Sequence, residues 1–192
     1  ITVFEYPKGT WNIVCEYLDM EKRKINYLEM LGNNIGSLHL HNPSLLKRRR
    51  SELGDFVGRS LQKGQRQFGF AVPTSCGVIP QVNDWCDDWR TFFIRCRLKP
   101  QVDYIVEKRN NHQLASQWSL LEKKAEELLK NTDGVLPSLV HGDLWGGNWG
   151  VVEENPVIFD PSSSYSDPEF EAGIHMMFGG FEEPYTKGYD AV

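Results

Sequence analysis

The chain has 192 residues, 40% of them apolar and 24% charged, which is the composition of a soluble protein able to build one core of ordinary size. A net charge of −5 excludes the basic footprint that nucleic-acid binding needs, and the one basic run, Lys47-Arg48-Arg49-Arg50, reads as a solvated helix end or loop. No apolar stretch approaches the roughly 20 residues that span a bilayer. Cys15, Cys76, Cys86 and Cys96 show no two-residue spacing of a zinc or redox motif, so thiols of a reducing compartment, and hence a cytoplasmic protein, are expected. The start, ITVFEYPKGT, has neither the basic nor the apolar region of a signal peptide. The chain lacks an initiator Met and both ends read as structured sequence, so a piece of a longer protein is expected.

ITVF and WNIVCEYL are β-rich runs on either side of a Pro7-Lys8-Gly9 turn, which predicts an antiparallel hairpin whose second strand ends at Glu16–Met20. Residues 24–41 place Ile25, Leu28, Leu31, Ile35 and Leu38 at helical spacing. Asn42-Pro43 is expected to stop that helix, because the residue before a proline avoids the α region. Residues 44–67 are charged and glycine-containing, and predict a loop with a short helix. Residues 68–85 hold two glycines and two prolines and predict an irregular surface segment. A helix is expected from Asp87-Asp88 through WRTFFIRCRL, and another from Pro100. A further helix over 112–130 carries Leu114, Trp118, Leu121, Ala125 and Leu128 on one face. Two short apolar runs follow, LVHGD and PVIFD, and a last helix over 168–178 with Asp167 as N-cap, Pro168 at its first position and Glu169 in its first turn. The order predicts an α+β fold with a mostly helical body.

The chemistry concentrates in SLVHGDLWGGNWG, residues 138–150. Asp143 follows one apolar run and Asp160 follows the other, and a hairpin between the runs would bring both carboxylates to one end. Asn148 lies in the connection. Two carboxylates and an amide carbonyl are hard oxygen donors suited to Mg²⁺, which takes few protein ligands and leaves positions for phosphate oxygens and water. An Asp that does not bind metal can accept a proton from a hydroxyl nucleophile. In phosphoryl transfer, a loop Asp orients the attacking hydroxyl, an Asn five residues later binds one metal ion, and an Asp after the next strand binds the metal that bridges the phosphates. The spacing from His141 through Asp143 to Asn148 matches that template. His141 fits an orienting, hydrogen-bonded role. The glycines let the backbone turn tightly enough to aim these groups.

HGDLWGGNWG followed by IFDPSSSY resembles the aminoglycoside-phosphotransferase and choline-kinase-like branch of the protein-kinase-like fold. More narrowly, HGDLWGGN, FDPSSSYSDPEFEAGIHMMFGGF and the middle segment FGF…TSCGVIPQVNDWCDDWRTFFIRCRLKPQ resemble the fructosamine-3-kinase, or ketosamine-3-kinase, family over nearly the whole chain. The resemblance implies the end of a small lobe and its hinge strand in residues 1–18, and a helical large lobe in 19–192. It implies an ATP- and Mg²⁺-dependent kinase acting on the sugar 3-hydroxyl of ketosamines, fructosamine or ribulosamine, on glycated proteins or amino acids, so that the activity leads to protein deglycation.

The same resemblance makes Asp143 the base, Asn148 and Asp160 the Mg²⁺ ligands, and Glu16, Tyr17, Leu18, Asp19 and Met20 the hinge that meets adenine. Trp145 could form a wall against the sugar or be an ordinary packed aromatic. Asn83, Trp85, Asp87, Asp88 and Trp89 could shape the acceptor site, and buried structural roles remain equally open for them. Glu169 and Glu171 read as cap and scaffold, and Met176, Met177 and Phe178 as core.

The departures from the family pattern matter too. No Gly-rich phosphate loop, no strand Lys and no Glu partner for it can be identified, and Lys8, placed in a turn, is a poor candidate. Weak or no turnover is therefore expected of these 192 residues alone. Two other readings stay open: a noncatalytic, pseudokinase-like fragment that binds a ligand or partner, and a small-molecule kinase for an aminoglycoside, choline or homoserine. The middle segment speaks against the second, and no HExxH or H-x-H pattern supports a metal hydrolase.

Overall fold

The computed structural model describes residues 2–6, 10–21, 25–51 and 64–192. Thr2–Tyr6 (β1) pairs antiparallel with Thr10–Val14 (β2), Thr2 opposite Val14. The Pro7-Lys8-Gly9 turn lies outside the described residues. The second strand ends at Val14, earlier than the sequence predicts, and residues 15–20 continue as irregular chain to Glu21, whose N–H donates to the Val151 carbonyl at 2.8 Å.

Asn26–Ser51 forms one long helix, α1. Leu28, Leu31 and Ile35 are buried at the expected spacing. The helix does not stop at Asn42-Pro43. The Asn42 amide donates to the carbonyls of Gln65 (2.8 Å) and Pro137 (2.6 Å) and accepts from the Gln65 N–H (2.7 Å). These tertiary bonds hold Asn42 in helical conformation, and the proline costs the rod one N–H donor. Of the segment 44–67, where a loop with a short helix is expected, the part up to Ser51 continues α1, and 52–63 lie outside the described residues, as do the side chains of Arg48, Arg49 and Arg50.

The middle segment is more regular than its glycines and prolines predict. Thr74–Cys76 (β3) and Ile79–Gln81 (β4) form a hairpin, Cys76 opposite Ile79. Trp89–Phe92 (α2), a π-helical turn over Phe93–Leu98, and Lys99–Arg109 (α3) make one continuous rod where the sequence predicts two helices. Pro100 cannot donate to the carbonyl four residues back and its ring crowds that turn, and the wider π turn just before it accommodates both. Asn110 ends the rod in the left-handed conformation (φ 48°). His112–Leu128 (α4) starts at Asn111, whose side chain accepts from the Leu114 N–H at 2.9 Å. Of its predicted inner face only Ala125 is fully buried, and Leu128 faces solvent.

Ser138–Val140 (β5) pairs with Ser164–Ser166 (β8), and Trp149–Val152 (β6) pairs with Asn155–Ile158 (β7), all antiparallel. The two Asp-ending runs therefore do not form the expected hairpin with each other; they belong to two separate ribbons whose ends meet. Glu169–Phe178 (α5) starts one residue later than expected, with Pro168 rather than Asp167 at the N-cap; the Asp167 carboxylate still accepts from the Glu169 N–H at 2.9 Å. Met176, Met177 and Phe178 are not core: they are 87%, 75% and 60% exposed at the end of α5. Glu183–Asp190 (α6) lies across α1 so closely that a Cβ on Gly188 would come within 1.9 Å of the Glu29 carbonyl oxygen.

Two apolar clusters result. One joins α1, the loop residue Leu144, Trp149 and Val151 of β6, and Tyr185 of α6. The other joins Phe68, Cys86, Trp89, Phe92 and Cys96, with Phe170 of α5 packed against it. The segment 141–163 contributes Leu144, Trp149 and Val151 to the first of them.

Candidate active site

β5 delivers His141, Gly142 and Asp143 into this segment. Gly142 has φ +84°, and a Cβ there would stand 2.1 Å from the Ser162 carbonyl oxygen, so the position admits glycine alone. Leu144 is fully buried and pins the loop to the first cluster. The Ser162 N–H donates to the His141 carbonyl (2.8 Å) and the Phe159 N–H to the Asn148 carbonyl (3.1 Å), which draws the stretch after β7 onto the loop.

Asp143, Asn148 and Asp160 come together as the spacing predicts. The Asn148 amide nitrogen donates to the Asp143 carbonyl (2.8 Å) and carboxylate Oδ2 (3.1 Å), and lies 3.5 Å from the Asp160 carbonyl. With its NH₂ engaged, Asn148 has its carbonyl oxygen left to face a cation. Asp160 adopts φ +56°, an uncommon conformation that Asp tolerates better than most residues. The side-chain carbonyl of Asn148 and the carboxylate of Asp160 are hard oxygen donors on two segments that meet here, and this set fits a magnesium ion that keeps most of its other positions for water and phosphate. Burial pushes the Asp143 carboxyl above its ordinary range, and so does the nearby Asp160; the Asn148 amide, His141 and the Cys76 thiol pull it back only in part.

The loop is held from behind by a carboxylate. Glu171 of α5, 2% exposed, accepts from two consecutive backbone N–H groups, His141 (2.5 Å) and Gly142 (2.9 Å). Burial alone would raise its carboxyl; His39, whose Nε2 lies 3.6 Å away, and the His141 donors outweigh that and hold it below the ordinary range. His39 is oriented in turn by the Tyr189 hydroxyl at 2.8 Å. The His141 ring spans the Phe159 carbonyl (Nε2, 2.9 Å) and the Asp143 N–H (Nδ1, 3.3 Å). Its role is to orient the loop, as expected, and Glu171 acts as the scaffold.

The other expected site residues fall into two groups. Glu16, Tyr17, Leu18, Asp19 and Met20 run as mostly exposed chain, Tyr17 87% exposed, and reach β6 through the Glu21–Val151 bond, with Met20 against Gly150. Trp145, 38% exposed, sits 5.5 Å from the Phe178 ring beside a cavity of about 490 Å³ that Trp149, Gly147, Gly180 and Glu182 also line.

The middle-segment candidates are placed structurally. Asn83 is buried, donating to Val72 O and Thr74 Oγ1 (both 2.9 Å) and accepting from Arg97 (2.9 Å), so its polar atoms serve the scaffold. The ring of Trp85 packs 6.3 Å from Tyr165. Asp87 accepts from Gln67 (2.8 Å), Asp88 caps α2 through the Thr91 N–H (2.8 Å), and Trp89 is core. Two residues that sequence reasoning missed stand at the site itself. The Cys76 thiol donates to Asp143 Oδ1 (3.8 Å), and Gln81 Oε1 accepts from Ser162 Oγ (3.1 Å). Neither carries a local signal, because both reach the loop from a distant hairpin.

Comparisons with known proteins follow the same lines. The fructosamine kinase family model matches residues 5–192. Mouse ketosamine-3-kinase is 39% identical over 193 residues, covering 98% of this chain and 62% of the mouse protein. A Staphylococcus aureus protein named probable ketoamine kinase is 35% identical over 146 residues, covering 72% of this chain and 49% of its own length. A crystal structure titled "Putative fructosamine-3-kinase", from Haemophilus somnus, superposes with a TM-score of 0.71 at 22% identity, covering 92% of this chain and 51% of that one. The chain thus spans about half to three fifths of the length of these relatives. All four cysteines are free thiols, and among the described residues no helix is long and apolar enough to cross a membrane. With a family model matched from residue 5 to the last residue and a kinase-like fold shared with solved structures, the chain belongs to the fructosamine kinase family.

Proposed function

We propose that this chain carries the catalytic and metal-binding part of an ATP-dependent kinase that phosphorylates the 3-hydroxyl of a ketosamine, on a free amino acid or on a glycated protein. The observation that carries the reading is the convergence of Asp143, Asn148 and Asp160 on one another. The names of the mouse and Staphylococcus aureus relatives support the substrate class.

In this reading Asp143 accepts the proton of the 3-hydroxyl as that oxygen bonds to the γ-phosphorus and the bond to the ADP oxygen breaks. Its burial makes it a stronger base than an exposed Asp. Asn148 and Asp160 hold Mg²⁺, which when bound neutralises charge on the phosphates. Glu16–Met20 meets adenine as the hinge between a small lobe ending near residue 18 and the helical large lobe. Trp145 offers the sugar an apolar face beside the base. Phosphorylation at the 3-position makes the ketosamine labile, which is the route to deglycation.

The test is transfer of labelled phosphate from ATP to fructosyl-lysine by the complete gene product. Asp143→Asn is expected to lower kcat by about 10²–10⁴, the range of a general base. Unchanged turnover in that variant would remove Asp143 from the role. Absence of turnover with tight ATP·Mg²⁺ binding by calorimetry would favour instead a noncatalytic binding protein.

A further inference from the structure

Two hydrogen bonds tie the β3–β4 hairpin to both arms of the site. Cys76, at the end of β3, reaches Asp143 Oδ1, and Gln81, at the end of β4, holds Ser162, two residues beyond Asp160. Thr74 donates to the same Gln81 oxygen at 3.3 Å. Behind the hairpin, Asn83 donates to Thr74, and Arg97 donates to Asn83 Oδ1 (2.9 Å) and to the Val82 carbonyl (2.5 Å). Arg97 is 3% exposed and lies in the π-helical turn. A continuous set of contacts thus runs from a buried guanidinium through Asn83, Thr74 and Gln81 to Ser162, and Cys76 of the same hairpin reaches Asp143 separately. π-Helical turns recur beside functional sites.

The two oxygens of Asp143 face different neighbours. Oδ2 faces Asn148, on the side where the two metal-ligand candidates stand, and Oδ1 faces Cys76. On its Oδ1 side Asp143 is bordered by Cys76, whose hairpin turns at the exposed Val78.

We propose that the β3–β4 hairpin is the acceptor-side wall of this site, and that Cys76 and Gln81 are positioning residues for it. Cys76 holds the Asp143 carboxylate in one rotamer, and Gln81 ties the Asp160–Ser162 turn to the same hairpin. The ligand that meets this wall is the sugar of the ketosamine. The proposal rests on the reading of Asp143 as the base. A thiol suits the task because it is a weak donor: it orients an oxygen without holding it as firmly as a hydroxyl or an ammonium would. Burial and the charge of Asp143 both push the Cys76 thiol up, so it stays a neutral donor at neutral pH.

The experiment compares steady-state constants for ATP and fructosyl-lysine in the complete gene product carrying Cys76→Ala, Cys76→Ser or Gln81→Leu, with Asp143→Asn as reference. Cys76→Ala and Gln81→Leu are each expected to lower kcat about three- to tenfold and to raise KM for fructosyl-lysine, with KM for ATP unchanged. Cys76→Ser, which keeps a donor, is expected to recover most of the loss. Wild-type constants in both loss variants would overturn the proposal, and so would losses shared by both substrates in step with a lower Tm. If Asp143→Asn itself stays active, the base reading fails rather than the wall.

Alkylation by iodoacetamide, followed by mass spectrometry, gives a readout that needs no turnover. Exposed Cys15 is expected to react at least about tenfold faster than Cys76. Bound fructosyl-lysine is expected to slow Cys76 further and leave Cys15 unchanged. Equal rates at the two thiols, or no protection of Cys76 by fructosyl-lysine that calorimetry shows to be bound, would overturn the proposal.

Discussion

The two halves of the site are each backed by one buried charge, of opposite sign. Behind the loop that carries Asp143 stands Glu171, which accepts from the backbone N–H groups of His141 and Gly142. Behind the β3–β4 hairpin stands Arg97, which donates to the backbone carbonyls of Val82 and Cys96 and to Asn83. Each irregular segment has backbone groups that no helix or ladder satisfies, and burial without a partner would be costly. An acid serves the segment that offers donors, and a base serves the segment that offers acceptors. Their surroundings differ. Glu171 has the His39 ring 3.6 Å away, and its carboxyl is held low. Arg97 lies over the Phe92 ring at 4.5 Å, and burial pulls its pKa down to about 10, which leaves it charged at neutral pH.

The two charges are not expected to be equally costly to remove, and that asymmetry is the first thing to measure. Glu171→Ala leaves two buried N–H donors without an acceptor, and each such orphan costs about 1–3 kcal/mol. A loss of about 4 kcal/mol in unfolding free energy is expected by denaturant titration, with activity lost as the loop relaxes. Arg97→Met removes a desolvated charge and keeps a long apolar side chain. It orphans carbonyls, which are less often strictly paired than N–H groups. A loss of about 2 kcal/mol is expected. Equal losses in the two variants would contradict the division of labour between an acid that serves donors and a base that serves acceptors.

pH acts on the Glu171 side of this contrast. His175, on α5 one turn beyond Glu171, stacks on the Phe181 ring at 3.8 Å, and burial lowers its pKa from 6.5 to about 4. Between those two values the unfolded chain binds a proton at this residue and the folded chain does not. Stability from this group is therefore complete above pH 6.5 and is lost as pH falls toward 4. Allowing for partial solvent screening, the loss reaches about 2 kcal/mol. Thermal melts from pH 7 to pH 4 are expected to show a steeper fall for the native chain than for His175→Phe. Parallel curves would remove His175 from the acid limb.

The contrast also marks what could be read from the sequence. The offsets from His141 through Asp143 to Asn148, and Asp160 after an apolar run, are short-range chemistry, and the structure brings these residues together. The buried face of α1 from Leu28 to Ile35 is set by local periodicity and stands where the sequence puts it, and α5 starts within one residue of its expected position. What sequence reasoning missed depends on partners far along the chain. Asn42 stays helical before a proline because of bonds to Gln65 and Pro137. β5 takes β8 rather than β7, a choice that no local pattern encodes. In sequence Asn83 stays open between the acceptor site and a buried structural role, because its partner, a buried guanidinium 14 positions ahead, is invisible in one dimension.

The smallest expected effect tests the rod that carries Arg97. The sequence makes Asp88 a candidate for the acceptor site, and the structure makes it the N-cap of α2, accepting from the Thr91 N–H at 2.8 Å. A cap of this kind is worth about 1 kcal/mol. Asp88→Ala is expected to cost that much in unfolding free energy, and Asp88→Asn or Asp88→Ser to recover most of it, because each keeps a side-chain oxygen acceptor. A capping role leaves KM for fructosyl-lysine untouched in all three variants, since the cap lies at the start of the rod and Arg97 nine residues further on holds the hairpin. A rise in that KM without a loss of stability would return Asp88 to the acceptor site and move the wall of the site away from β3–β4.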